Sequence, residues 1–144
     1  MNELIMKLLI QWDPHPDIFD VYQSSLMRLS TKESPSAVLR EFELGLIEEL
    51  GYGIDWFHDI HGDAIEADLD YGFMPEQGFV LLSQAPQGSL KAEGRHIQAI
   101  GNRNWQQSGS LALARKMCRT IIDPLIGFKD LNSRKLLQQT LAIR

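Results

Sequence analysis

With 144 residues, 44% hydrophobic and 23% charged, the chain has the size and composition of one globular domain, which excludes a disordered or fibrous polymer. No apolar run approaches the roughly 18 residues that a membrane span needs. The opening MNELIMKLLI carries an acid at position 3 and no small-residue cleavage site follows it, so a cytoplasmic protein without a membrane partner is expected. The net charge of −5 hides an asymmetry: residues 115–144 hold seven Lys and Arg against Asp123 and Asp130, leaving this tail at +5 and the rest at −10. A polyanion or an acidic partner would meet the chain at that basic end. The single cysteine, Cys118, excludes an internal disulfide and a thiolate metal site, and its helical surroundings read as those of a buried, inert thiol.

In chain order, the spacing of Leu4, Ile5, Leu8 and Leu9 predicts a helix over about 2–11. Pro14 and Pro16 then make a turn. A second helix is expected over 17–29, its apolar side formed by Ile18, Phe19, Tyr22, Leu26 and Leu29, with Asp17 and Asp20 suited to its positive end. Ser34 and Pro35 supply a cap and a first helical residue for the central helix, 35–50. There Val38, Leu39, Phe42, Leu46, Ile47 and Leu50 form one stripe, and Arg40, Glu41, Glu43, Glu48 and Glu49 occupy the other side. Gly51 stands where a helix C-terminus favours positive φ.

Beyond Gly53 the pattern turns to short β-like runs over 54–57, 69–74 and 79–82, the last two joined by a turn at 75–78. The β insertion is therefore expected over about 54–82. Residues 89–100 read as a helix despite Gly94, with Leu90, Ile97 and Ile100 inward. Trp105 lies in the following loop. Ser110 opens a helix over 110–122, expected to stop before Pro124, and a short final helix is expected over 133–141. The sum is a mainly α fold: a single helical domain over 1–144 with a small β-hairpin insertion after the central helix.

Chemistry-bearing constellations are few: the sequence has no glycine-rich phosphate loop, no GxSxG elbow and no HExxH pair. Catalytic residues and a cofactor are therefore not expected. The run WFHDIHGDAIEADLDY gathers His58, His61 and five carboxylates. A solvated acidic loop is the favoured reading; a metal-binding module or metal-dependent enzyme using His58 and His61 is the alternative. Arg115, Lys116 and Arg119 fall within about one helical turn, and Lys129, Arg134 and Lys135 follow, which suits contacts to phosphates. Trp105 reads as a core anchor in preference to a base-stacking platform. From the residues alone, Arg40 is either an i,i+3 partner of Glu43, the favoured reading, or a cation that captures a peptide carboxylate beside an apolar groove.

LREFELGLIEELGYGID, taken with the later LARKMCRTIIDPLIGFKDLNSRKLLQQ, resembles the C-terminal helical domain of the bacterial recombination mediator RecO, in its gammaproteobacterial branch. The resemblance spans nearly the whole chain. It implies a non-enzymatic adaptor that works with RecR, the single-stranded DNA-binding protein (SSB) and single- and double-stranded DNA, in the cytoplasm at the nucleoid, to load recombinase and promote annealing. The acidic SSB tail ends in Pro-Phe, and the resemblance makes Arg40, with Leu39 and Phe42, the candidate for binding it. It also implies that the chain corresponds to the family's C-terminal part without the N-terminal OB-fold domain, so that DNA binding would be weaker; a structural remnant that only packs against a partner is the further alternative. Many relatives carry two Cys pairs that hold zinc after Gly-Tyr-Gly; here that stretch reads His58-Asp59-Ile60-His61, and no zinc site is expected. Asn132 stands where Lys is usual. Glu48 and Glu49, placed against the helix dipole, are expected to face the basic closing segment.

Overall fold

The computed structural model describes residues 1, 3, 16–31 and 33–125. The expected helices over 2–11 and 133–141, the turn before Pro16, and Lys129, Arg134 and Lys135 lie outside the described residues. Among those described, the order is α1 (Pro16–Leu29), α2 (Pro35–Glu49), β1 (Asp70–Met74), β2 (Gly78–Leu81), a short 3-10 turn (Leu82–Gln84), β3 (Leu90–Glu93), α3 (Gly94–Gly101) and α4 (Ser110–Leu125). The fold is mainly α with a small antiparallel sheet inserted after α2, in agreement with the sequence reading.

Helix α2 is the organising element because it packs against both α1 and α4. Val38, Phe42, Leu46 and Ile47 are enclosed almost completely, as the stripe predicts. Covering a helix on two sides also encloses part of its polar side: Arg40 and Glu43 are buried with it. Pro35 opens α2 at its first turn. At its far end Gly51 has φ +88, the Gly51 amide donates to the Glu48 carbonyl and the Tyr52 amide to the Ile47 carbonyl, both at 3.0 Å. This pair of bonds is a Schellman motif, which only a residue at ease with positive φ closes without strain.

The hairpin forms as predicted, with Tyr71 opposite Leu81 and Phe73 opposite Phe79. The sheet nevertheless has three strands in the order β2-β1-β3. Residues 90–93 were expected in a helix and instead pair with β1, Ala92 opposite Tyr71. Gly94 is the reason: a Cβ there would sit 1.8 Å from the Glu66 carbonyl oxygen, so the chain passes close to that backbone at the β3–α3 junction, and only then turns helical. Burying Ala92 beside a partner strand outweighs the weak helical pattern of so short a segment.

Two further expectations are corrected. Residues 54–57 do not form a strand. The chain instead makes a small loop closed by an isolated bridge between His58 and Ala64, and the Ile65 amide donates to the Phe57 carbonyl at 2.8 Å. Among the described residues no strand pairs with 54–57, and an extended run without a partner strand is not stable as one. Helix α4 also runs past its expected stop, through Pro124 to Leu125. In a last turn, proline only withholds one donor from the carbonyl four residues back, that of Thr120, while the buried Ile121 and Ile122 keep the helix seated.

The core joins Phe42, Leu46 and Ile47 of α2 to Ile97 and Ile100 of α3, Met117, Cys118 and Ile122 of α4, and Tyr71, Phe73 and Phe79 of the sheet. Phe73 and Phe79 meet at 5.4 Å between ring centroids, tilted by 47°, a favourable offset geometry.

Candidate functional site

The stretch Leu39 to Glu43 of α2 carries the residues singled out from the sequence. Arg40 keeps only 11% of its side chain exposed, and its Nη1 lies 2.9 Å from Glu43 Oε2, itself 4% exposed. The i,i+3 pair is thus present, and it is an interior pair, for which losing one partner strands a charge away from water. A guanidinium has five N–H donors in a planar fork, so the contact with Glu43 leaves chemical capacity for a second anion. Leu39 is half-buried. Phe42 is fully enclosed and packs edge-on against Tyr22 at 6.3 Å, supporting this end of α2 from inside.

Next to this pair lies a network that sequence reading missed. Glu41 accepts from Arg28 of α1 at Oε2 and from the Trp105 indole N–H at Oε1, the latter at 2.6 Å. Arg28 also donates to Glu33, from Nε at 2.9 Å and Nη2 at 2.6 Å. Burial pushes the Glu41 carboxyl upward, but the bonds from Arg28 and Trp105 and the charges of Arg28 and Arg103 outweigh it and hold the group below the ordinary glutamate value. The Arg28 guanidinium is raised by its bonds to Glu33 and Glu41. Trp105 is therefore half-buried against the core with its polar edge satisfied, as an anchor should be. A 64-residue separation joins it to Glu41, and no local pattern could have shown that.

On α4, Arg115 and Lys116 are exposed, and Arg119 is half-buried one turn on. The structure brings these three to one side of the helix, opposite the enclosed Ala114, Met117 and Cys118. Burial drives the Cys118 thiol well above its usual range, with the nearby Glu43 charge adding to the effect, so the thiolate nucleophile is suppressed.

The His58–His61 run folds on its own backbone. Asp59 Oδ1 accepts from the His61 and Asp63 amides at 2.8 and 3.0 Å, and His58 Nδ1 faces Asp55 Oδ2 at 3.2 Å. Asp55 is held below the usual carboxylate range by the Phe57 amide against a burial effect, then by His58. Among the described residues, no group of three or more His, Cys, Asp or Glu side chains converges as a metal site.

Two clefts flank the segment that leaves α2. One, of about 480 Å³, includes Tyr52, Asp55, Asp59, Phe73, Glu76 and Ile121 in its lining. The other, of about 460 Å³, is lined by Leu44, Ile47, Glu48, Ile54, Trp56 and Arg103, with Gly53 and Asp55.

LREFELGLIEELGYGID runs through α2 and its glycine cap, and LARKMCRTIIDPL, the described part of the second motif, lies on α4. The model of the family described as Recombination protein O C terminal matches residues 1–135. The chain belongs to that family. It is 34% identical over 147 residues to the DNA repair protein RecO of Azoarcus sp. strain BH72, covering 99% of this chain and 60% of the relative. It is 37% identical over 145 residues to that of Pseudoalteromonas atlantica, covering 97% and 58%, and 35% identical over 136 residues to that of Pseudomonas paraeruginosa, covering 94% and 58%. The chain thus spans about 60% of the length of these curated relatives. No described helix is long and apolar enough to cross a membrane.

Proposed function

We propose that the chain is a non-enzymatic adaptor domain acting in DNA repair and recombination, at the nucleoid in the cytoplasm. The observation that carries this reading is the family match across residues 1–135, supported by relatives named as DNA repair proteins over nearly the whole chain. On this reading the domain tethers partners and breaks no bond. It holds the SSB tail and RecR, and adds phosphate contacts to DNA, so that recombinase loads and strands anneal.

The SSB tail would place its terminal carboxylate on the Arg40 fork beside Leu39, with Phe42 backing the site. Arg40 suits this role because a planar guanidinium grips a carboxylate bidentately, which an ammonium cannot do. The phosphate contacts fall to Arg115, Lys116 and Arg119, joined by Lys129, Arg134 and Lys135. Fluorescence anisotropy with a labelled acidic peptide ending in Pro-Phe tests the site. Arg40→Lys preserves the charge but not the fork, and is expected to weaken binding by about tenfold or more, the scale of one lost charged hydrogen bond. Unchanged affinity in a variant with a normal circular dichroism spectrum would refute the role of Arg40.

A further inference from the structure

The end of α2 concentrates negative charge. Its last turn contains no basic residue, while Glu48 and Glu49 are exposed there, where the carbonyl end of the helix dipole already repels anions. Among the described residues neither glutamate makes an ion pair. The two clefts that open beside this helix end add Asp55, Asp59 and Glu76, and set one cation, Arg103, against four carboxylates. The Asp55 carboxylate accepts the Phe57 and His58 amides, which favours its charged form, and Asp59 accepts the His61 and Asp63 amides.

Between the clefts runs the segment 53–55, a wall common to both. It is neither helix, strand nor turn, and no amide or carbonyl of Gly53, Ile54 or Asp55 bonds to the backbone of another described residue. Its sequence is β-like, and among the described residues no strand pairs with it. A backbone stretch whose donors and acceptors have no backbone partner among the described residues, flanked by pockets on both sides, is the arrangement by which a protein adds a peptide as a strand: main-chain bonds give affinity, and alternate side chains enter alternate pockets.

We infer that the 53–55 segment and its two flanking clefts form a docking site for an extended, cationic-and-apolar peptide segment of a protein partner. The acid-lined cleft takes a Lys or Arg side chain over Tyr52 and Phe73, near Asp55, Asp59 and Glu76. The second cleft takes an apolar side chain against Leu44, Ile47, Ile54 and Trp56. The charge of this site repels an acidic tail, so the surface is separate from the Arg40 site and serves a partner of opposite charge.

The test uses a fluorescein-labelled hexapeptide of alternating Arg and Leu with blocked ends, titrated with the full chain and followed by anisotropy. Binding is expected at micromolar protein. It should weaken by about tenfold or more when alternate peptide nitrogens are methylated, since each methyl removes a main-chain donor, and by a similar factor in Glu48→Lys/Glu76→Lys, where both altered residues are exposed. Gly53→Pro, which deletes the segment's first N–H, should weaken it as well. Affinity that survives both backbone methylation and charge reversal is adsorption to an acidic protein and overturns the site, as does absence of binding to the unmethylated peptide. A Glu-for-Arg version that binds as tightly overturns the assigned charge.

Discussion

Glu41 shows how one side chain can connect elements that are remote in sequence. It takes bonds from α1 and from the loop before α4, and both are charge-assisted, so they exceed a neutral hydrogen bond. Glu41→Gln is expected to lose about 1–2 kcal/mol, moderated because Arg28 is about one third exposed, and to shift Trp105 emission as its indole partner weakens. The sign of the pH effect follows from the depressed folded pKa. Glu41 adds stability above its unfolded value of 4.5, and that increment disappears as pH falls through the lower folded value. Urea midpoints between pH 7 and pH 3 should therefore fall further in the native chain than in Glu41→Gln. Cys118 provides a second residue-level check: because burial raises its thiol, a thiol reagent at pH 8 should label it only at the rate of unfolding, and denaturant should release the reaction. Its inertness was legible from its helical setting, whereas the Glu41 network was not, since neither partner is a sequence neighbour.

At the level of elements, periodicity is a good guide wherever a helix is long and one-sided. Helices α1, α2 and α4 begin and end within a few residues of their expected bounds, and the hairpin turn falls where Pro75 to Gly78 places it. Gly51 is the clearest local signal. A Cβ there meets nothing within 4 Å, yet φ is +88, so Gly51→Ala is expected to cost about 1 kcal/mol through backbone strain alone. The urea midpoint should fall with the m-value unchanged, because no surface is re-exposed. β3 was not legible, because four residues do not separate a strand from a helix start. What decides it is the close passage of Gly94 over the Glu66 carbonyl, a tertiary fact. The 54–57 run shows the reverse case: strand-like residues remain outside the sheet, and among the described residues no strand pairs with them.

At the scale of the whole molecule, charge separation is the dominant feature: an acidic body with a basic α4 and tail. If α4 contacts phosphates as proposed, binding to single-stranded DNA should weaken with salt. Replacing both Arg115 and Lys116 by Ala should reduce the slope of log K against log salt by about 1.4, roughly 0.7 for each lost contact. A slope unchanged in the double variant would remove α4 from the DNA surface. Composition, the stripe of α2, its glycine stop and the spaced motifs determined by themselves the mainly α class and the family, because those signals are local and survive without knowledge of neighbours. Only the tertiary structure decided that Arg40 and Glu43 form an interior pair, that Glu41 joins α1 to Trp105, that β3 completes the sheet, and that two clefts open beside the end of α2. Each depends on which surfaces of distant segments are pressed together, and water is excluded only once they meet.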